Sequence, residues 1–181
     1  YFKLTAKSAQ NGQAFAGAAE LRAWGTAGKS EWLDQENWKC SASDYEATGE
    51  NNGNSGWPKH ACDNNLDTQW HSAYSGGVKP MPHWLQIDLG KIADVSALKY
   101  TPRQDAYPAN GIVKEYRVEY SLDSNKWNPA AQGTLTDGKP TTINFDATHR
   151  AKYIRFTAIS AQNGQAFAGA AELDVKGSYV T

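Results

Sequence analysis

The chain has 181 residues, of which 18 are basic and 19 acidic, giving a formal net charge of −1. No run of Lys or Arg forms the stripe that a nucleic-acid or anionic-membrane binder needs, so a polyanionic partner is not expected. No apolar stretch approaches the length of a membrane span.

Tyr1 to Gly25 aligns without a gap onto Tyr153 to Gly177, and the run SAQNGQAFAGAAEL is identical at 8–21 and 160–173. Self-similarity at a fixed offset marks tandem modules. Residues 1–25 are therefore expected to be the C-terminal remnant of an upstream repeat. Residues 26–35 read as a linker, 36–177 as one complete module of ordinary domain size, and 178–181 as a tail.

Beyond the linker the pattern is one of strands. Trp38–Ser43 is a short run rich in small and aromatic residues. In PHWLQIDLG, Leu85, Ile87 and Leu89 fall on one face and Trp84, Gln86 and Asp88 on the other. Val95–Thr101 follows, and EYRVEYS alternates again, with Tyr116, Val118 and Tyr120 on one face. Thr142–Asp146, Tyr153–Ile159 and Glu172–Lys176 complete the set, each bounded by Gly, Pro, Asn or Asp. No window carries a long period of 3.6. Short punctuated strands of this kind predict an all-β antiparallel sandwich or jelly roll.

The connections are long and polar. Ser43–Lys59 has almost no aliphatic residue, and Ser72–Pro82 and Arg103–Gly111 are similar. Ordered loops on a rigid sandwich usually carry function. Within one of them, Asp63, Asn65, Asp67 and Thr68 place hard oxygen donors within six residues, a set suited to Ca²⁺ and not to a thiophilic metal. Turn capping is the plainer use of the same side chains. Cys40 and Cys62 are the two thiols, and they read equally well as a disulfide and as two small buried hydrophobes. Catalytic signatures are missing: there is no GxSxG elbow, no HExxH helix and no His beside either cysteine.

Taken together, ACDNNLDTQWHS, HWLQIDLG, YTPRQD, YSLDSNKW, YIRFTAIS and the closing AAEL resemble the F5/8 type C (discoidin-like, galactose-binding-domain-like) domain. Within that superfamily the chain is most similar to the bacterial family 32 carbohydrate-binding modules. The resemblance implies a structural calcium held by Asp63, Thr68 and Glu172, with Asn65 and the backbone carbonyls near His60 and Ala171 completing the sphere. It also implies a sugar site for a terminal galactose or GalNAc-type residue. There His71, Arg103 and Asn110 would hydrogen-bond hydroxyls, and Phe167 would be the stacking platform. Glu50 or Glu46 would accept from a sugar hydroxyl, and Tyr74, Trp57 or Tyr107 would flank the ring or pin their loops. Asn64 stands where a glycine is common in the family, and Cys62 where a plain aliphatic is usual.

Plainer structural uses exist for several of these residues. Phe167 could be a sandwich-edge hydrophobe, Arg103 an ion-pair partner of Asp105, and Asn110 the left-handed residue of an Asn-Gly turn. His83 reads as a structural histidine at a strand start, and Trp70 and Trp127 as core anchors. The expected role is that of a non-catalytic, calcium-stabilised module that brings a larger secreted or surface protein to its glycan, with weak monovalent affinity raised by tandem copies. The expected location is extracellular, cell-surface or periplasmic. The alternative is a discoidin-like adhesion or peptide-binding domain without sugar specificity.

Overall fold

A computed structural model describes residues 31–48, 56–104 and 110–180, all within one compact unit, Glu31–Thr181. The repeat remnant 1–25, with Phe15 and Glu20, and the candidates Glu50, Asp105 and Tyr107 lie outside the described residues.

The strands are β1 (Lys39–Ala42), β2 (Trp70–His71), β3 (His83–Thr101), β4 (Glu115–Ser121), β5 (Asn128–Thr134), β6 (Thr141–Ala158), β7 (Gly169–Ala170) and β8 (Glu172–Tyr179); a 3₁₀ turn spans Pro58–Ala61. All pairings are antiparallel, with order β1-β3-β6-β4-β5, β8 added to β3, and β2 paired with β7. The fold is a β-sandwich, as the alternation predicts.

Two long strands serve both layers. His83–Asp88 of β3 lies between β1 and Tyr153–Ala158 of β6, whereas Ala93–Thr101 lies between β8 and the first half of β6. The segments read separately from sequence, PHWLQIDLG and Val95–Thr101, are thus halves of one bent strand, and so are Thr142–Asp146 and Tyr153–Ile159. Register shifts between Asp88 and Ala93 mark the bend, where Gly90 takes φ +74°. A left-handed residue there interrupts the sequence pattern without ending the ladder.

Leu85, Ile87 and Leu89 are fully buried with Trp70, Val95, Leu98, Tyr100, Val118, Ile154, Phe156, Leu173 and Val175. β5 escaped the sequence reading because NPAAQGT has weak strand propensity; Pro129 is tolerated there because β5 is an edge. Trp127 is not a core anchor: it is half-buried, with the Arg155 guanidinium 3.9 Å from its ring and 4.8 Å from the ring of Trp84. Residues 31–35 are not a free linker. The Leu33 amide donates to the Val175 carbonyl (2.9 Å), Trp32 bridges Lys176, and Leu33 and Gln35 are buried against β8.

Cys40 and Cys62 are disulfide-bonded, with Cα atoms 6.7 Å apart across a separation of 22 residues. The bond ties β1 to the end of the 3₁₀ turn, immediately before the acidic loop. No helix among the described residues is long and apolar enough to cross a membrane.

Candidate functional site

The two-residue ladder of β2 and β7 organises one end of the sandwich. His71 pairs with Gly169, the Ser72 amide donates to the Ala168 carbonyl (2.8 Å), and the Ala168 amide donates to Ser72 Oγ (3.0 Å). These bonds hold Phe167, the residue before Ala168, against His71. The rings of His71 and Phe167 are 5.6 Å apart, Tyr74 meets His71 edge-on at 5.2 Å, and Tyr74 lies 6.3 Å from Phe167. His71 is buried, its Nδ1 2.7 Å from the Ser72 carbonyl, whereas Tyr74 and Phe167 are half-exposed.

The loop after β3 closes the same corner. The Gly169 amide donates to the Gly111 carbonyl (2.8 Å), and a Cβ on Gly111 would stand 3.2 Å from His71 Nε2. Gly111, at φ +77°, is a left-handed residue of this turn, directly after Asn110. Arg103 is buried two residues beyond the end of β3, whose Thr101 carbonyl accepts from the Ala171 amide (2.9 Å). His71, Tyr74 and Phe167 are thus brought together from two loops, with the Gly111 turn, which Asn110 precedes, closing against His71.

Glu46 does not face outward as an acceptor for a ligand. It is 1% exposed and takes the amides of Thr48 (3.2 Å), Tyr74 (2.9 Å) and Ser75 (2.8 Å), together with the Ser75 hydroxyl. Burial opposes its charge, but these donors outweigh burial and hold its pKa at about 2. Its own backbone amide donates to the His71 carbonyl (2.8 Å). Glu46 therefore positions Tyr74, and the signal available in sequence was only an acidic residue in a loop poor in aliphatics. Trp57 is exposed and forms a tilted pair with Tyr45, ring centroids 5.4 Å apart; the carbonyl of Gly56 before it accepts from the His71 amide (3.2 Å).

The acidic loop is a cage of oxygens. Thr68 Oγ1 lies 2.8 and 3.1 Å from the two Asp63 carboxylate oxygens, 2.9 Å from the Asn65 carbonyl and 3.5 Å from the His60 carbonyl. A hydroxyl has one proton and cannot serve all of these acceptors at once. The Asn65 side chain is spent elsewhere, accepting the Asp67 amide at 3.1 Å, so Asn65 offers the cage its backbone carbonyl and not the side-chain oxygen. Asn64 takes φ +57°, the conformation a glycine adopts most easily. Across the loop, Glu172 is 3% exposed; its Oε1 accepts from Gln35 Nε2 (3.1 Å), and its Oε2 is buried with no hydrogen-bond partner. Burial, then the Asp174 and Asp63 charges, push Glu172 up to about 7 against the pull of the Gln35 bond and of the Asn64 backbone amide. An orphaned buried carboxylate oxygen beside a second carboxylate fits a cation. Among the described residues no three His, Cys, Asp or Glu side chains gather, so its donors would be two carboxylates, a hydroxyl and carbonyls, a hard set that suits Ca²⁺.

The sequence profile of the F5/8 type C domain matches residues 39–173. The chain belongs to the F5/8 type C domain family. Among curated relatives, a sialidase from Micromonospora viridifaciens is 36% identical over 148 residues, covering 80% of this chain and 22% of the relative. The F5/8 type C chain thus spans about a fifth of that protein's length. Among solved structures, the CpGH89CBM32-5 module of Clostridium perfringens in complex with GalNAc-β-1,3-galactose is 29% identical with a TM-score of 0.71, covering 80% of this chain and 99% of that one. The family 32 carbohydrate-binding module of C. perfringens NanJ in complex with galactose is 29% identical with a TM-score of 0.66, covering 80% and 96%.

Proposed function

We propose that this F5/8 type C domain is a non-catalytic carbohydrate-binding module for terminal galactose or GalNAc-type sugars. The observation that carries the reading is the convergence of His71, Tyr74 and Phe167, with ring centroids 5.2–6.3 Å apart, against the Gly111 turn that follows Asn110. A pyranose needs a ring surface for its C–H face and fixed polar groups for its vicinal hydroxyls. Phe167 and Tyr74 supply the surface. His71 Nε2 and the Asn110 amide supply hydrogen bonds, and the Arg103 guanidinium supplies a planar pair of donors. The galactose and GalNAc-β-1,3-galactose bound to the two similar C. perfringens modules support that sugar class.

Calcium in the Asp63, Thr68 and Glu172 cage, joined by the carbonyls of His60, Asn65 and Ala171, would stabilise the fold by neutralising Glu172 and tying the loop to β8. The disulfide supports an oxidising, extracellular setting. The duplicated sequence at 1–25 and 153–177 supports a parent protein with tandem copies, in which the module targets a glycan-active partner domain to its substrate.

A glycan array followed by calorimetry tests the reading. Galactose-type sugars are expected to bind weakly at one site, and Arg103→Ala and Phe167→Ala each to abolish measurable binding while leaving the folded state intact. Absence of any glycan hit overturns the function; binding unchanged in both variants overturns the site.

A further inference from the structure

The two loops that carry Tyr74 and Phe167 are joined beneath the site by a pair the sugar would never touch. Asp44 is buried. Its Oδ1 accepts the Ala73 amide (2.8 Å), its Oδ2 lies 2.9 Å from His83 Nδ1, and its backbone carbonyl accepts from Trp70 Nε1 (3.1 Å). His83, 1% exposed, reaches on with Nε2 to the Ala166 carbonyl at 3.1 Å. Ala73 precedes Tyr74, and Ala166 precedes Phe167. One carboxylate and one imidazole therefore span from the first aromatic loop to the second.

Resting on the sugar-site reading, we propose that Asp44 and His83 are positioning residues that set the separation of Tyr74 and Phe167, and that the brace is complete only when both nitrogens of the His83 ring carry protons. The Ala166 carbonyl can only accept, so Nε2 must donate to it. An ionised Asp44 can only accept, so Nδ1 must donate as well. Loss of either proton leaves a lone pair facing an acceptor in a buried place, which breaks that bond and frees one loop. Burial works against the Asp44 charge, but the Ala73 amide and the His83 bond keep its pKa below the ordinary carboxylate value, in keeping with an ionised partner. Among the described residues, Asp44 is the ionisable group bonded to His83. Its β6 neighbour is Ala158, the 159–168 loop meets it through the Ala166 carbonyl, and Glu46 is turned to the Thr48, Tyr74 and Ser75 amides.

Asp44→Asn separates the brace from its charge. Asn keeps an oxygen for the Ala73 amide and offers an N–H to a neutral ring, which then needs a proton only on Nε2. Calorimetry with galactose at neutral pH should show Asp44→Asn binding within about twofold of the wild type. His83→Phe, which cannot hold Ala166, should bind at least tenfold more weakly at every pH. Nitrogen-15 NMR of the wild-type ring at neutral pH should show two protonated nitrogens. A neutral tautomer, or His83→Phe binding as tightly as the wild type, overturns the brace. If no sugar binds at any pH, the function fails, while the ring spectrum and the hydrogen exchange of the Phe167 amide in His83→Phe still decide the brace: unchanged exchange overturns it.

Discussion

Glu46→Gln tests how the site is held, separately from what it binds. The wild-type carboxylate takes three backbone amides and a hydroxyl, and its pKa of about 2 lies well below the ordinary 4.5. Glutamine in the same rotamer keeps one oxygen for the Tyr74 and Ser75 amides, but its NH₂ then faces the Thr48 N–H, and the charge is gone. Hydrogen bonds to a charged acceptor contribute about 1.5–3 kcal/mol and neutral ones about 0.5–1.5, so the exchange should cost about 2 kcal/mol. The depressed pKa gives an upper bound of the same order, about 3.5 kcal/mol at ~1.4 kcal/mol per unit before the reduction that solvent screening brings. The sign follows from linkage. A carboxylate whose folded pKa is depressed contributes stability that is present above pH 4.5 and lost as pH falls toward 2. Urea melts of both proteins between pH 7 and pH 2.5 should therefore show a gap of about 2 kcal/mol at neutral pH that narrows through the acid range. Sugar affinity at pH 7 should fall in parallel, because the bond that anchors Tyr74 loses its charge assistance and the Thr48 end of the loop loses its acceptor. A neutral-pH difference under about 0.5 kcal/mol, or a gap independent of pH, would refute the positioning role.

Three further outcomes are expected. EDTA should lower the melting temperature of the wild type, and Thr68→Val, which removes the hydroxyl at the centre of the oxygen cage, should abolish the calcium-dependent shift in calorimetric scans. Replacing Cys40 and Cys62 by Ala should cost about 3 kcal/mol in denaturant melts, the value for freeing a loop of this length. Gly111→Ala must hold a φ of +77° and place a methyl 3.0 Å from the Gly169 amide nitrogen and 3.2 Å from His71 Nε2. Its strain should cost about 1–3 kcal/mol, and calorimetry should show sugar affinity falling by tenfold or more as His71 is displaced.

Much of this molecule was written in local pattern. Alternation in HWLQIDL and YRVEY required one buried face per strand, and that alone dictated a sandwich. The oxygen-rich run Asp63–Thr68 and the duplication of SAQNGQAFAGAAEL could be named from the chain, because residue chemistry and spacing are local properties, and His71, Arg103, Asn110 and Phe167 could be named through the family resemblance. What sequence could not decide was which partners those side chains would meet. Glu46 looked as available to a ligand as any loop carboxylate until folding enclosed it among the amides of Thr48, Tyr74 and Ser75. Cys40 and Cys62 became a bond, the Asn65 side chain turned away from the cage while its carbonyl stayed, and Trp127 left the core to stack on Arg155. His83 and Asp44 meet from positions 39 residues apart and reach Ala166 a further 83 along the chain. Contacts between residues so far apart depend on how the two long strands bend and where the loops return, and no local period encodes either.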